Sequence, residues 1–589
     1  MDFGGRSGKR WKKWNLVEKV EKGGNMLYYL DDGGIIMLLN PISKDNFKEI
    51  VTNCYYVDKT NLINEILDKG DQGIYLMLRP RRFGKSVIVS MLEYFFDIQK
   101  KDDDIFKGLE IAKSKYYYER NTYPTIRLSF KDLEKVDYHS LIITFKEIIS
   151  SLYIRHKYLL DSDVLEPIEK TYVSNMINKC GDDELSSSIR KLSEFLYRYH
   201  QKKVVILIDE YDTPIISSTE KDFYDKALLL FKNIYSEGLK DNPNIKFAFL
   251  TGVLKVSKDY LFSGLNNLLV DDGYTTYFNE YFGFDYQESR AILDYFNLGK
   301  YYDEVVDWYG GYTYHRKDLV NPWSILSFIA TGGEFRPYWS KTSSNTALSY
   351  LFSNVTSNLS DSLSRLLNRE KLFVKLYINY SPFDEEEDIN VALNLLISSG
   401  YLTATEGEDV FEGLAHIPNK EIGYVFRNEI ISNYQLMSKD NNNIVDKLRV
   451  ALLTGKQEEI ALLIEKFITF SLSYFEFNDE KSYQIIVSTL SAILFGNHLV
   501  RMEDTLGEGR CDISITPIKE NSFGSIIEIK YVSSKISEAR LQKTAEVAVK
   551  QIKNKEYYQS LVRTSAYPII IYGFAFMKKK VKIASERIR

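Results

Sequence analysis

Three short stretches, GIYLML (73–78), KVVILI (203–208) and KFAFLT (246–251), are apolar at nearly every position and are separated by longer segments of helical periodicity. A strand that is apolar on both faces has to be covered on both. Repeated alternation of such strands with helices therefore predicts a parallel sheet between two helical layers. Another strand is expected at TIRLSF (125–130). Helices are expected at Lys85–Phe96 and at Asp58–Lys69, where Leu62, Ile63, Ile66 and Leu67 share one face. At 589 residues the chain is too long for a single hydrophobic core, so this sheet accounts for only part of it.

Past about residue 284 the strand signal fades and helical patterns take over, at Asp285–Phe296, Pro322–Ala330 and Ser344–Ser357. A mixed region near 390–436 leads to the polar run KDNNN (439–443), which reads as a boundary. The remainder runs helix–helix–strand–strand–helix–strand and ends in YPIIIYGFAF (567–576). The expected organisation is an N-terminal extension (1–40), an α/β domain (41–284), a helical lid or middle region (285–440) and a C-terminal α/β domain (445–589).

Composition mainly excludes. The 76 basic residues are balanced by 81 acidic ones, so contact with a polyanion must come from a local patch. GKRWKKW (8–14) is one such patch, and the run Lys578, Lys579, Lys580, Lys582, Arg587 and Arg589 is another. The first reads rather as a solvated tail, and the second would equally serve as one. Cys54, Cys180 and Cys511 lie far apart without CxxC spacing, and the six histidines do not cluster, which argues against a disulfide framework and a zinc site. The first residues lack an apolar signal core, and no run of eighteen apolar residues occurs, so a cytoplasmic location without a membrane span is expected.

The strand at 73–78 runs into RPRRFGKS (79–86) and then a helix. Strand, loop ending in GKS, and helix is the context in which backbone N–H groups and a helix N-terminus attract phosphates. Arg82, Phe83, Gly84, Lys85, Ser86 and Val87 would then surround a nucleotide, with Lys85 on the β and γ oxygens and Ser86 on Mg²⁺. GKS alone is short and built of common residues, and the glycine expected at position 79 of GxxxxGK[ST] is an arginine. Two acids farther along the chain strengthen the reading. VVILI (204–208) delivers Asp209 and Glu210 at the end of a buried strand, where Asp209 would hold Mg²⁺ through water and Glu210 would polarise the attacking water. A third strand ends at Thr251, placed to sense a γ-phosphate.

RPRRFGKS (79–86), LIDEYDTPI (207–215), LTGVLKVSKDYLFSGLNNL (250–268), YFGF (281–284), WYGGY (308–312), NPWSIL (321–326) and SGYL (399–402) together resemble the AAA-ATPase-like proteins that carry a C-terminal PD-(D/E)XK nuclease domain. The resemblance spans roughly residues 40–580. In that family the phosphate loop has this PRRFGKS form, so the missing glycine is a family trait.

A PD-(D/E)XK site needs an Asp on one strand and E-x-K on the next, because residues two apart on a strand share a face. The acids hold one or two Mg²⁺, and the Lys positions the water and stabilises the developing charge. Here RCDISI (510–515) supplies Asp512, and SIIEIK (525–530) supplies Glu528 and Lys530 after a hairpin of suitable length. Glu480, at the start of a helix, would add a metal-binding acid, and Gln551 lies in a helix (537–558) expected to cover the sheet. E-x-K by itself is common. The ordered set of helix Glu, strand Asp, hairpin, E-x-K and helix Gln is what carries the assignment.

The sequence thus predicts a P-loop parallel sheet, a mainly helical middle and a restriction-endonuclease-like α/β domain. The expected function is an ATP-binding, ATP-hydrolysing protein coupled to a Mg²⁺-dependent nuclease acting on DNA or RNA. The alternative is a nucleotide-gated switch whose nuclease fold does not cleave. A third, weaker reading is a phosphotransferase, which P-loop folds also support and which Asp209–Glu210 and the C-terminal site make less attractive. Oligomeric state is open.

Overall fold

The computed structural model describes the backbone of residues 16–22, 25–30 and 37–39 and, with short gaps, residues 44–339, 362–376, 389–426, 444–471, 480–491 and 498–589. The expected helix at 344–357 and the basic run at 8–14 lie outside the described residues. The chain divides into two compact units, residues 1–339 and 340–589. Within the first 40 residues, β1 (Leu16–Lys22), β2 (Asn25–Leu30) and β3 (Met37–Leu39) pair as an antiparallel meander.

The first unit is built on β4 (Gly73–Leu78), α1 (Lys85–Phe96), β5 (Thr125–Ser129), α2 (Tyr138–Arg155), α3 (Ser188–His200), β6 (Val204–Asp209), α4 (Thr213–Ile216), α5 (Tyr224–Leu239), β7 (Ile245–Gly252) and β8 (Leu268–Asp271). The five strands are all parallel, in the order β5-β6-β7-β4-β8. Alternation along each strand explains why the strands had to be apolar throughout. Ile74, Leu76, Ile206, Ile208, Ala248 and Leu250 pack into one core with α2, α3 and α5. Tyr75, Met77, Val205, Leu207, Phe247 and Phe249 pack into the opposite core with α1. Because β7 separates β4 from β6, the ends of three consecutive strands carry the loop at 79–86, Thr251 and Asp209 along one edge of the sheet, where parallel sheets bind ligands.

A small module follows in the same unit. It comprises β9 (Phe284–Asp285), α6 (Tyr286–Tyr295), β10 (Tyr312–Tyr314), β11 (Lys317–Val320) and α7 (Pro322–Ala330). Asp285 and Glu288 cap α6 reciprocally, the side chain of each accepting the other's backbone N–H. In the second unit β12 (Leu372–Lys375), α8 (Ile389–Ser399), β13 (Thr403–Glu406) and β14 (Glu412–His416) form another such element. The middle of the chain is therefore mainly helical, yet it carries two three-stranded antiparallel sheets. Their strands are two to five residues long, too short to show a period of two in the sequence.

The second unit continues with α9 (Ile444–Thr454) and α10 (Gln457–Ser471). Its five-stranded sheet comprises β15 (His498–Leu506), β16 (Gly509–Pro517), β17 (Gly524–Tyr531), β18 (Ile569–Met577) and β19 (Lys580–Arg587), in that order. All neighbours are antiparallel except β17 and β18, which are joined across α11 (Glu538–Asn554). Gly573 permits the close seat of α11 on β18, since a Cβ there would meet the Ala545 carbonyl at 2.1 Å. The basic residues of the C-terminus do not form a tail. Lys580–Arg587 is a strand with Val581 and Ile583 buried, and Lys580 and Lys582 pair with Glu538 at 2.9 and 3.0 Å.

Candidate functional site

In the first unit β4 ends on Leu78, and the loop turns through Arg82 at φ 70° and Gly84 at φ 85° into α1. A side chain with a Cβ disfavours this left-handed region, which glycine enters freely. Lys85 and Ser86 open the first turn of α1, with Val87 behind them. Lys85 is buried, and its Nζ donates to the carbonyls of Arg79 (2.8 Å) and Pro80 (2.9 Å). Burial lowers its pKa to about 8, against the upward pull of Glu210, Asp212 and Asp209. The ammonium thus lies in the field of all three acids of the DEYD segment.

Asp209 is buried and accepts a hydrogen bond from the Thr251 hydroxyl, so the strand-end acid and the candidate sensor touch directly. Glu210 follows at φ 55°, a conformation costing a non-glycine residue roughly 1–2 kcal/mol. Burial, reinforced by Asp209, raises its carboxyl pKa. A half-buried, strained acid beside a buried lysine is the kind of environment that functional sites create.

Two residues missed by the sequence reading complete this edge. Arg79, in the place of the absent glycine, points away from the loop into the core. Its guanidinium grips Asp271 with two bonds (3.1 and 2.9 Å) and Asn279 with a third (3.0 Å), and both ion-pair side chains are fully buried. It therefore ties the start of the phosphate loop to the end of β8. Asp212 is the second. Its Oδ2 accepts the amides of Val253 (2.8 Å) and Leu254 (2.7 Å), fastening the chain just past Thr251 to the acid-bearing turn. Only the unexpected arginine gave a signal in the sequence; the acid it pairs with lies 192 residues away.

In the second unit Asp512 on β16 and Glu528 and Lys530 on β17 come together. Asp512 Oδ2 accepts the Ile529 amide (2.6 Å), and its Oδ1 accepts Gln484 Nε2 (2.8 Å). Glu528 Oε1 accepts Lys530 Nζ (3.1 Å) and the Gln551 amide. Glu528 is 2% exposed, and its Oε2 is buried without a hydrogen-bond partner. Burial, helped by Asp512, raises its pKa to about 7, and burial raises that of Asp512 too. Glu480 flanks the pair: its Oε2 accepts the Tyr531 amide (3.1 Å), and its Oε1 lies 4.0 Å from Lys530 Nζ. Gln484, four residues past Glu480, was not singled out from sequence, although that spacing places both on one side of a helix.

Among the described residues no three His, Cys, Asp or Glu side chains stand ready as a metal cage. The donor chemistry nevertheless fits a hard divalent cation. An orphaned, buried carboxylate oxygen beside a second, half-buried acid is costly, and a cation among oxygen ligands is what relieves it.

Comparison with known proteins finds a family match in each unit. Residues 41–262 match the family model of predicted AAA-ATPases, and residues 478–586 match that of the PD-(D/E)XK nuclease superfamily. The chain thus carries a predicted AAA-ATPase domain followed by a PD-(D/E)XK nuclease superfamily domain. An uncharacterized protein encoded in the vnfD 5′ region of Azotobacter chroococcum mcd 1 is 25% identical over 538 residues, covering 89% of this chain and 93% of its own. The structure of the Aeropyrum pernix ORC2 protein in ADPNP–ADP complexes aligns over 63% of this chain and 93% of its own, at 9% identity. With a TM-score of 0.24, that alignment carries no argument. No helix among the described residues is long and apolar enough to cross a membrane.

Proposed function

We propose that the protein is an ATP-binding, ATP-hydrolysing nuclease that cuts DNA or RNA with a divalent metal, Mg²⁺ by preference, under nucleotide control. The observation that carries the nuclease reading is the unpartnered, buried Oε2 of Glu528 beside Asp512, with Lys530 at 3.1 Å from the other oxygen. Asp512 and Glu528 would hold the metal, with Glu480 adjoining. The ion would supply a nucleophilic water at neutral pH and charge neutralisation on the phosphodiester. Lys530, whose pKa the surrounding acids hold up despite burial, is a cation positioned to stabilise negative charge developing on the phosphate. At the other site Lys85, Ser86 and the loop amides would bind the nucleotide phosphates, Asp209 and Ser86 the accompanying Mg²⁺, and Glu210 the attacking water.

A second reading, a nucleotide-gated switch with a non-cleaving nuclease fold, is favoured by one feature. Gln484, Gln551 and Lys530 already occupy oxygens of Asp512 and Glu528. The deciding experiment incubates single- and double-stranded DNA and RNA with the protein and Mg²⁺ or Mn²⁺, with and without ATP. Metal-dependent cutting that disappears in Asp512→Ala establishes the nuclease, and a change of rate in Lys85→Ala establishes nucleotide control. ATP turnover without cutting of any substrate selects the switch.

A further inference from the structure

The NPWSIL segment (321–326) is used by neither site, yet its tryptophan reaches the phosphate loop. Asn321 caps α7 by accepting the Ser324 amide (3.2 Å), and the Trp323 indole N–H donates to the Tyr338 carbonyl (3.3 Å), so the ring is held in place. The guanidinium carbon of Arg82 lies 4.1 Å from the centroid of that ring. The next residue, Phe83, is buried, edge-on to Tyr312 (5.0 Å) and Tyr314 (6.0 Å), and its carbonyl accepts the Gly283 amide (3.2 Å). The apolar residue of the loop tip is thus plugged into the post-sheet module, while its charged neighbour lies exposed across an indole face.

The two possible partners of Arg82 differ in strength. An exposed cation–π contact shifts an equilibrium by about 2- to 5-fold. A charge-assisted hydrogen bond to a phosphate oxygen is worth on the order of ten- to a hundredfold, and the planar guanidinium suits that geometry. A phosphate arriving at the loop therefore takes the arginine from the ring.

We propose that Trp323 is a positioning residue for the phosphate loop. Its indole parks Arg82 while no phosphate is present, and on nucleotide binding the guanidinium leaves it for the phosphates, so that α7 senses occupancy of the site. This rests on the reading of residues 79–86 as a nucleotide phosphate loop. It also fixes the sign of an affinity change. A parking face competes with the nucleotide for Arg82, so removing the face tightens binding, whereas loss of a merely structural contact weakens it.

The test titrates the full-length protein with ATP and Mg²⁺, following binding by calorimetry and tryptophan emission in parallel. Wild type is expected to show an emission change that saturates with the heat. At saturating ATP, Trp323→Phe loses most of that change. Arg82→Gln also loses it and binds on the order of tenfold more weakly. Trp323→Leu, which fills space without a π face, binds about 2- to 5-fold more tightly. ATP binding by wild type with no emission change lost in Trp323→Phe overturns the parking role and leaves the nucleotide reading standing. Weaker binding by a Trp323→Leu protein of native circular dichroism does the same. Absence of any binding heat with wild type overturns both.

Discussion

The loop at 79–86 of the first unit and the acid pair of the second each bury a charged side chain, Lys85 in the first turn of α1 and Glu528 within β17, and they settle it in opposite ways. Lys85 donates hydrogen bonds to two backbone carbonyls, and burial takes its pKa only down to about 8 with three acids resisting. Glu528 has one oxygen held by Lys530 and Gln551 and the other held by nothing, and its pKa rises to about 7. A buried cation satisfied by its own loop tolerates the absence of ligand. A buried acid with an orphan oxygen beside another acid is relieved by a proton or a metal. The second site should therefore respond to pH and divalent ions, and the first to nucleotide.

The largest expected effect breaks the two sites apart. Asp512→Ala should lower metal-dependent cleavage on the order of 10³-fold while ATP affinity, read by calorimetry, stays within about twofold of wild type. Loss of both together would mean that the units do not work separately.

Nearly as large is the cost of breaking the buried pair behind the phosphate loop. Asp271→Ala should destabilise the first unit by about 3–5 kcal/mol, because it leaves the Arg79 guanidinium buried and uncompensated. Chemical denaturation measures this. The combined Arg79→Met, Asp271→Leu variant should recover most of the loss, and failure to recover would show that the pair does more than cancel its own charge.

The acid site should have a pH signature. The unfolded chain releases the Glu528 proton near 4.5 and the folded chain near 7. Between those values the folded state binds more protons, so the stability of metal-free protein falls as pH rises, by at most roughly 3 kcal/mol. Glu528→Gln should flatten that slope. Added Mg²⁺ or Mn²⁺ should raise the melting temperature more at pH 8 than at pH 5, and an equal rise at both would exclude Glu528 as a ligand.

The smallest effect concerns orientation. Gln484→Ala should weaken divalent-ion binding about tenfold, as loss of the partner that aims a ligating carboxylate generally does. Tighter binding would instead show that Gln484 blocks Asp512, which favours the non-cleaving switch.

Much of this was legible in the sequence because the signals are local. Strand β4 and helices α1 and α7 run over the residues that their apolar periodicity marked, and β5, β6, β7, β16, β17 and β18 differ from expectation by a residue or two, whereas β8 and β15 were not expected. The order Asp512, hairpin, Glu528-x-Lys530 followed from a period of two. The short strands β9 to β14 were not legible, since two to five residues carry too little pattern. Nor was β19, whose alternation of lysine with Val581 and Ile583 lay hidden in a basic run.

By itself, then, the sequence determined that most of the long strands alternate with helices, that a GKS loop falls between a strand and a helix, and which acids precede which lysine. Each of these depends on neighbours a few residues apart. Only the tertiary structure decided that Arg79 pairs with Asp271, that Asp212 fastens the chain after Thr251, that Trp323 lies across Arg82 and that Gln484 reaches Asp512. A buried or half-buried charge takes whatever group the returning chain brings within reach, and that choice is made by the packing of the whole unit rather than by spacing along the chain.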